Sequence, residues 1–370
     1  MKSLDMKIMR TISSMVLMML ILGMLTFALG VPTVHASATI YIRTDGSIDG
    51  TDRIERVGTV YTFIGNISDS IIVEKSGITI DGAGYTLRAG TGEIGIDLTG
   101  RSAVTVRNVR ITQCLDGVRF SESRNINMSA NILTDNSDDG VDLRESSDYN
   151  SIVGNTIVGN HGCGIELWES SYNNIVQNNV SQNGLHGIWI YDNSNHNDII
   201  ENSAVENDND GISFVSSSNY NTVRNNTIMK NHDRGIAAIS SHDNSIYYND
   251  FLNNTHQAYT VNSVNAWDNG YPSGGNYWSD YNGTDSYSGT YQNVSGGDRI
   301  GDTSYTINAN NMDRFPQFRV SAGGGFDLTL FAIIVVVVGA CIVAATVLIL
   351  QKRKHRVPSA PPQPPPPSLS

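Results

Sequence analysis

The chain has 370 residues, with 24 Lys+Arg against 36 Asp+Glu and a formal net charge of −12. A hydrophobic fraction of 39% supplies a core and excludes a collagen-like or wholly disordered chain. The acidic balance, with no basic stripe to offset it, excludes nucleic acid as a partner, because it repels a phosphate backbone.

Lys2, Lys7 and Arg10 precede an apolar run from Met15 to Leu29 and the small-residue stretch Val34–Ala38. This order predicts a secretory signal peptide over residues 1–36 with cleavage near Ala36 or Ala38; an uncleaved N-terminal anchor is the alternative. At the other end, the 23 uncharged residues Leu328 to Leu350 predict a transmembrane helix. The basic run Lys352 to Arg356 behind it places the C-terminus inside. The expectation is a single-pass cell-membrane protein whose ectodomain is extracellular. Residues 351–370 form a basic and Pro-rich cytoplasmic tail of polyproline-II type. With both ends set aside, the exported part carries about −17.

Between the ends, residues 39–94 read as an N-terminal cap and first coils, 95–257 as repeats, and 258–320 as a C-terminal cap. The repeat restarts at Gly95, Gly117, Gly140, Gly164, Gly187, Gly211 and Gly235, a period of 22 to 24 residues. Such a period signals a solenoid. Three asparagine series keep step with it: Asn150, Asn173, Asn197, Asn221, Asn244; Asn131, Asn155, Asn178, Asn202, Asn226, Asn249; and Asn136, Asn160, Asn183, Asn207, Asn231, Asn254. Stacked one strand spacing apart, their amides donate to one layer and accept from the other. Apolar residues two positions on, such as Ile152, Ile175 and Ile199 or Ile157, Val180 and Ile228, point inward, as do the pairs Ile165/Leu167 and Ile188/Ile190. With period-2 apolar pairs and no 3.6-residue stripe, the chain is all-β: a right-handed parallel β-helix of roughly eight coils, about 40 Å long at ~4.8 Å per layer. The first coils are expected at Ile71 to Leu87, and the register is expected to dissolve after Gln257. Cys114 and Cys163, two coils apart at ~9.6 Å, lie beyond disulfide reach and are expected as free thiols.

The Gly-Ile-x-Leu and Asn-x-Ile coils, the segment Asp69 to Gly84 and the tail Gly274 to Pro316 resemble the NosD-like family of exported β-helix proteins. Within that family the segments Asn276 to Tyr281 and Gly301 to Tyr305 are similar to those of archaeal surface proteins. The resemblance covers about Ser70 to Pro316. It implies the β-helix fold, a place among carbohydrate-binding proteins and sugar hydrolases, and copper through the family's common description. It supplies no catalytic signature.

The second and fourth residues after each glycine point outward, stacking Arg119, Asp142, Glu166, Trp189 and Ser213 beside Ser121, Arg144, Trp168, Tyr191 and Val215. Flat rings with fixed polar groups suit sugar binding, so Arg119, Arg144, Trp168, Trp189 and Tyr191 are candidate ligand-binding residues. Asp142 and Glu166, in neighbouring layers, are the candidate catalytic carboxyls of a hydrolase or lyase, with a separation approaching the ~5 to 5.5 Å of a retaining pair. The stretch Ile188 to Asp192 resembles a pectate-lyase strand, except that Tyr191 stands where an acid is needed. A calcium-assisted lyase would also need carboxylates gathered around the metal, from Asp139, Asp142 and Glu166. The turns before each glycine hold a second set, His161, Cys163, His186, Asp208, Asp210 and His232, with donors for copper or zinc. Asp298 and Asp302 lack a calcium-loop spacing and are expected to bond turn backbone.

Seven sequons, at Asn66, Asn127, Asn179, Asn225, Asn253, Asn282 and Asn293, suit an exported glycoprotein. The favoured reading is a surface protein binding a carbohydrate or another surface component without catalysis. Against it stand a polysaccharide hydrolase or lyase and a copper-binding accessory protein.

Overall fold

A computed structural model describes residues 39–318, so the N-terminal apolar segment, the 328–350 segment and the tail lie outside the described residues. Among the described residues no helix is long and apolar enough to cross a membrane. Three sheets of 11, 10 and 9 strands run the length of this region, and the strands within each are parallel except for one antiparallel strand at the N-terminal end of two of them. The register repeats from coil to coil: Val141 pairs with Ile165, Ile165 with Ile188, and Ile188 with Ile212. The chain is therefore a parallel β-helix.

The core is a stack of like residues. Val118, Val141, Ile165, Ile188 and Ile212 from the first sheet are fully buried, as are Ile152, Ile175 and Ile199 from the second and Ile157, Val180 and Ile228 from the third. At the corners Asn202 shows how the ladder works. Its Nδ2 donates to the Ile175 carbonyl at 2.7 Å and to Asn226 Oδ1 at 3.1 Å. Its Oδ1 in turn accepts from Asn178 N at 2.9 Å and Nδ2 at 3.0 Å. All four hydrogen-bonding directions of the amide are used, so a buried polar group costs nothing in unmade bonds. A serine series that the sequence reading passed over runs in parallel: Ser147 N donates to Ser170 Oγ, Ser170 N to Ser194 Oγ, and Ser218 N to Ser241 Oγ. Gly187 marks a close approach of neighbouring coils, since a Cβ there would lie 2.5 Å from the Gly211 carbonyl.

Two expectations about extent need correction. Ten parallel strands stack in the first sheet and nine in each of the others, so there are about nine coils rather than eight. The stack begins at Ile40–Ile42, which pairs with Ile71–Val73, before any repeat glycine or ladder asparagine makes the period visible. Nor does the register dissolve after Gln257. His256–Val261 pairs with the preceding coil, and Tyr277–Trp278 pairs in parallel with Asp250–Phe251. The ladders also continue, at altered spacing: Asn244 donates to Asn265, Asn249 to Asn276, and Asn265 N to Asn311 Oδ1. The end of the core is closed by the Trp278 ring, which stacks on Phe251 at 4.3 Å and on Tyr305 at 4.1 Å. Cys114 and Cys163 are both buried and free.

Candidate functional site

The residue before each repeat glycine forms one column on the outside of the first sheet: Asp116, Asp139, Cys163, His186, Asp210 and Arg234. The residue two after each glycine forms a second: Arg119, Asp142, Glu166, Trp189 and Ser213, held one above the other by strand register. The columns touch. Arg119 pairs with Asp116, the His186 and Trp189 rings lie 5.3 Å apart, and the Asp139 carboxyl meets Glu166. Asp116, Asp139, Asp142, Cys163 and Glu166 are all buried. The strand face on which Asp142 and Glu166 were placed is thus not a solvated surface at that point.

The upper half is ionic. Asp142 Oδ2 takes Arg119 Nε at 3.0 Å and Arg144 Nε at 2.5 Å, while Oδ1 has no hydrogen-bond partner. Burial pushes the Asp142 carboxyl up to about 6 despite the two guanidinium groups. Asp139 Oδ1 accepts from Cys163 N at 2.6 Å, and Gly162 leaves room for it, because a Cβ there would lie 2.5 Å from that oxygen. Burial, and then the facing Glu166 carboxyl, push Asp139 well above the carboxylate range. Glu166 Oε1 also accepts from Tyr191 Oη at 3.0 Å. The carboxyl that Glu166 meets is therefore Asp139, while Asp142 is engaged by two arginines.

The lower half is aromatic. Trp189 and Tyr191 stack at 4.2 Å, Trp168 and Tyr191 at 6.3 Å with an 8° interplanar angle, and all three are partly exposed. Trp168 Nε1 donates to Asp192 at 3.1 Å, whereas the buried Trp189 Nε1 has no partner. Below them His186 Nδ1 lies 3.3 Å from Asp210 Oδ2, and Arg234 lies over the Tyr259 ring at 4.4 Å.

The sequence-predicted metal set does not assemble. His186 faces Asp210, the exposed His232 faces the exposed Asp208 at 3.0 Å, and His161 is exposed. What converges instead, with ligand atoms within 4.8 Å of one another, is Asp116/Asp139/Asp142 and Asp139/Cys163/Glu166. Asp116 and Arg234 were not singled out in the sequence. Asp116 sits in an Asp-Gly dipeptide that reads as an ordinary turn, and only its place in the column, 23 residues before Asp139, marks it. In the cap, Asp302 accepts from Ser286 N and Tyr287 N, and Asp298 from Ile300 N, which is backbone bonding of the kind expected. All seven sequon asparagines are exposed. Two open cavities, about 570 and 460 Å³, lie elsewhere, beside His242 and Asn308 and beside Asp81 and Asn108. Neither gathers carboxyls as the columns do, and chemistry favours the columns over volume.

The fold and its stacked columns place the chain among the parallel β-solenoid proteins. The family described as periplasmic copper-binding protein (NosD) matches residues 41–210 and 192–283, and the chain belongs to that family. No curated protein matches it. Among solved structures it is similar to the periplasmic alginate epimerase AlgG, at 16% identity and a TM-score of 0.46 over 60% of this chain and 71% of that one. It is also similar to the Azotobacter vinelandii mannuronan C-5 epimerase AlgE6 A-module (15%, 0.41, 56% and 69%) and to pectate lyase Pel9A (12%, 0.41, 72% and 80%). These are likenesses of the solenoid alone.

The family's description raises copper, so the donor set matters. Copper favours imidazole, thiolate and thioether, and here the converging atoms are four carboxyls and one thiol, with no imidazole among them. Burial, with the neighbouring carboxylates, also raises the Cys163 thiol well above its usual range, against thiolate formation. The described residues do not fit a copper centre.

Proposed function

We propose that the chain is a cell-exterior protein whose β-helix binds carbohydrate on the outer face of its first sheet, held at the membrane by the 328–350 segment. The observation that carries this reading is the platform of Trp168, Trp189 and Tyr191. Three near-parallel rings stand partly exposed across two coils, pre-set by stacking and by the Trp168–Asp192 hydrogen bond. Rigid rings fixed before binding cost little entropy on association and offer apolar faces to sugar C–H groups. Arg144 and Tyr191 at the edge supply polar contacts for hydroxyls. A column of carboxyls under the platform disfavours a polyanionic glycan, so the reading specifies a neutral one.

A catalytic reading rests on a different feature, the facing Asp139 and Glu166 carboxyls beneath Tyr191. One experiment separates the two. The purified chain is incubated with neutral and acidic polysaccharides, and both retention and release of reducing ends or unsaturated uronates are measured. Retention of a neutral glycan without product, lost at least tenfold in Trp168→Ala and Trp189→Ala, is the expected result. Unchanged affinity in both variants would sink the binding reading, and product release abolished by Glu166→Gln would replace it with an enzyme.

A further inference from the structure

The carboxyl column poses a question that the glycan reading does not answer. Asp116, Asp138, Asp139, Asp142 and Glu166 gather around only two cations, Arg119 and Arg144. The corner asparagines bond in repeating ladders, whereas here the fully buried Asp142 is left with Oδ1 unpartnered. Unmade bonds on buried groups are costly, and they call for an explanation such as an ion.

We infer that Asp116, Asp139 and Asp142 bind one hard divalent cation, of the calcium or manganese kind, between adjacent coils. Three points support this beyond the acidity. One ligand oxygen from each of the three residues lies within 4.8 Å of the others, close enough for a single ion to draw them together. Asp142 Oδ1 offers a buried lone pair that nothing in the protein uses. The backbone opposite is Gly162, which lets the Asp139 carboxyl pack against it, since a Cβ there would lie 2.5 Å from Oδ1, so this ligand is held in place. The donor set is oxygen alone, which selects a hard ion, and excess negative charge in a buried setting favours a divalent one. Glu166 and the Cys163 thiol line the far side of Asp139 in the second cluster. If the thiol were a ligand, a softer metal would be preferred. The inference is that the thiol does not ligate. This site is independent of the aromatic platform, and neither stands or falls with the other.

The test uses the full chain, stripped with EDTA, in equilibrium dialysis against calcium, manganese, zinc and copper(II), with thermal unfolding as a second readout. The expected result is one calcium or manganese per chain, with a raised unfolding temperature reversed by EDTA. Asp142→Asn should weaken binding at least tenfold, and Asp116→Asn serves as a second variant should the first fail to fold. Cys163→Ser should leave affinity within twofold. Absence of calcium or manganese binding would overturn the inference, as would retained affinity in both aspartate variants. Preferential zinc or copper binding that is lost in Cys163→Ser would replace it with a thiolate site.

Discussion

The inner corners of the solenoid and the outer face of its first sheet both bury polar side chains, and they do so in opposite ways. At the corners one residue type repeats, so the amide of each layer is completed by the layers above and below, as at Asn178, Asn202 and Asn226. On the outer face the residue type changes from layer to layer beyond Asp139, to Cys163, His186, Asp210 and Arg234. Partners there must be improvised, and Asp142 Oδ1, His186 Nδ1, Trp189 Nε1 and Asp210 Oδ1 go without a hydrogen bond. Among the described residues repetition satisfies nearly every ladder amide, Asn173 Nδ2 alone among them being left without a partner, whereas variation leaves several neighbouring groups open and available to something else. Scaffold and site are distinguished here less by burial than by periodicity.

Three measurements would break or sharpen this contrast. The largest effect is expected from Asn202→Ala, which removes four buried hydrogen bonds and orphans groups in two coils. A loss of about 4 kcal/mol in denaturant unfolding is expected. A loss under about 1 kcal/mol would mean that water replaces the amide and that the ladder is not the source of stability. Next comes Arg119→Met. It strips the cation bridging Asp116 and Asp142 and should cost about 3 kcal/mol in EDTA-treated protein, because it leaves buried carboxylates uncompensated. A neutral result would show that the acids lower their charge by taking up protons.

The smallest effect concerns Asp313, where a ladder ends on an acid: its Oδ2 accepts from Asn276 N at 2.6 Å and Trp278 Nε1 at 2.9 Å. Burial raises this carboxyl to about 7, against these hydrogen bonds, with Asp268 also adding to the rise. Between about pH 4 and pH 7 the folded chain holds a proton there that the unfolded chain has released. Its contribution is therefore full below about pH 4 and is lost as pH rises through about 7. Unfolding curves of wild type and Asp313→Asn at pH 4.5 and 7.5 should differ in this slope. Parallel pH profiles would refute it.

The ladder and the core were legible because identical residues at fixed spacing must stack, whatever their rotamers. The outward columns were legible only as positions. That Asp142 would be taken by Arg119 and Arg144, leaving Glu166 to meet Asp139, depends on side-chain reach between coils, which spacing does not encode. The histidines stay apart for the same reason: His186 Nδ1 lies 3.3 Å from Asp210 and His232 Nδ1 3.0 Å from Asp208, as separate pairs. The early coils and the cap escaped because they share the fold without the repeat's marker residues, as Ile40–Ile42 and Asn311 show.

Coil length varies, and it varies in one place. From one ladder asparagine to the next around the two tight corners the count is always five, as in Asn150, Asn155, Asn160 and Asn197, Asn202, Asn207, and the following glycine is always four further on. From that glycine to the next coil's first asparagine the count is nine after Gly164 and Gly235 but ten after Gly140, Gly187 and Gly211. The longer coils carry two consecutive left-handed residues in this stretch, Glu145–Ser146, Asp192–Asn193 and Ser216–Ser217, where the shorter ones carry one, Glu169 or Ser240. Two corners thus act as a ruler and the third as slack. Because that third corner borders Trp168 and Tyr191, an inserted loop would overhang the aromatic platform without disturbing the scaffold, so new specificity can be added where the architecture already tolerates a change in length.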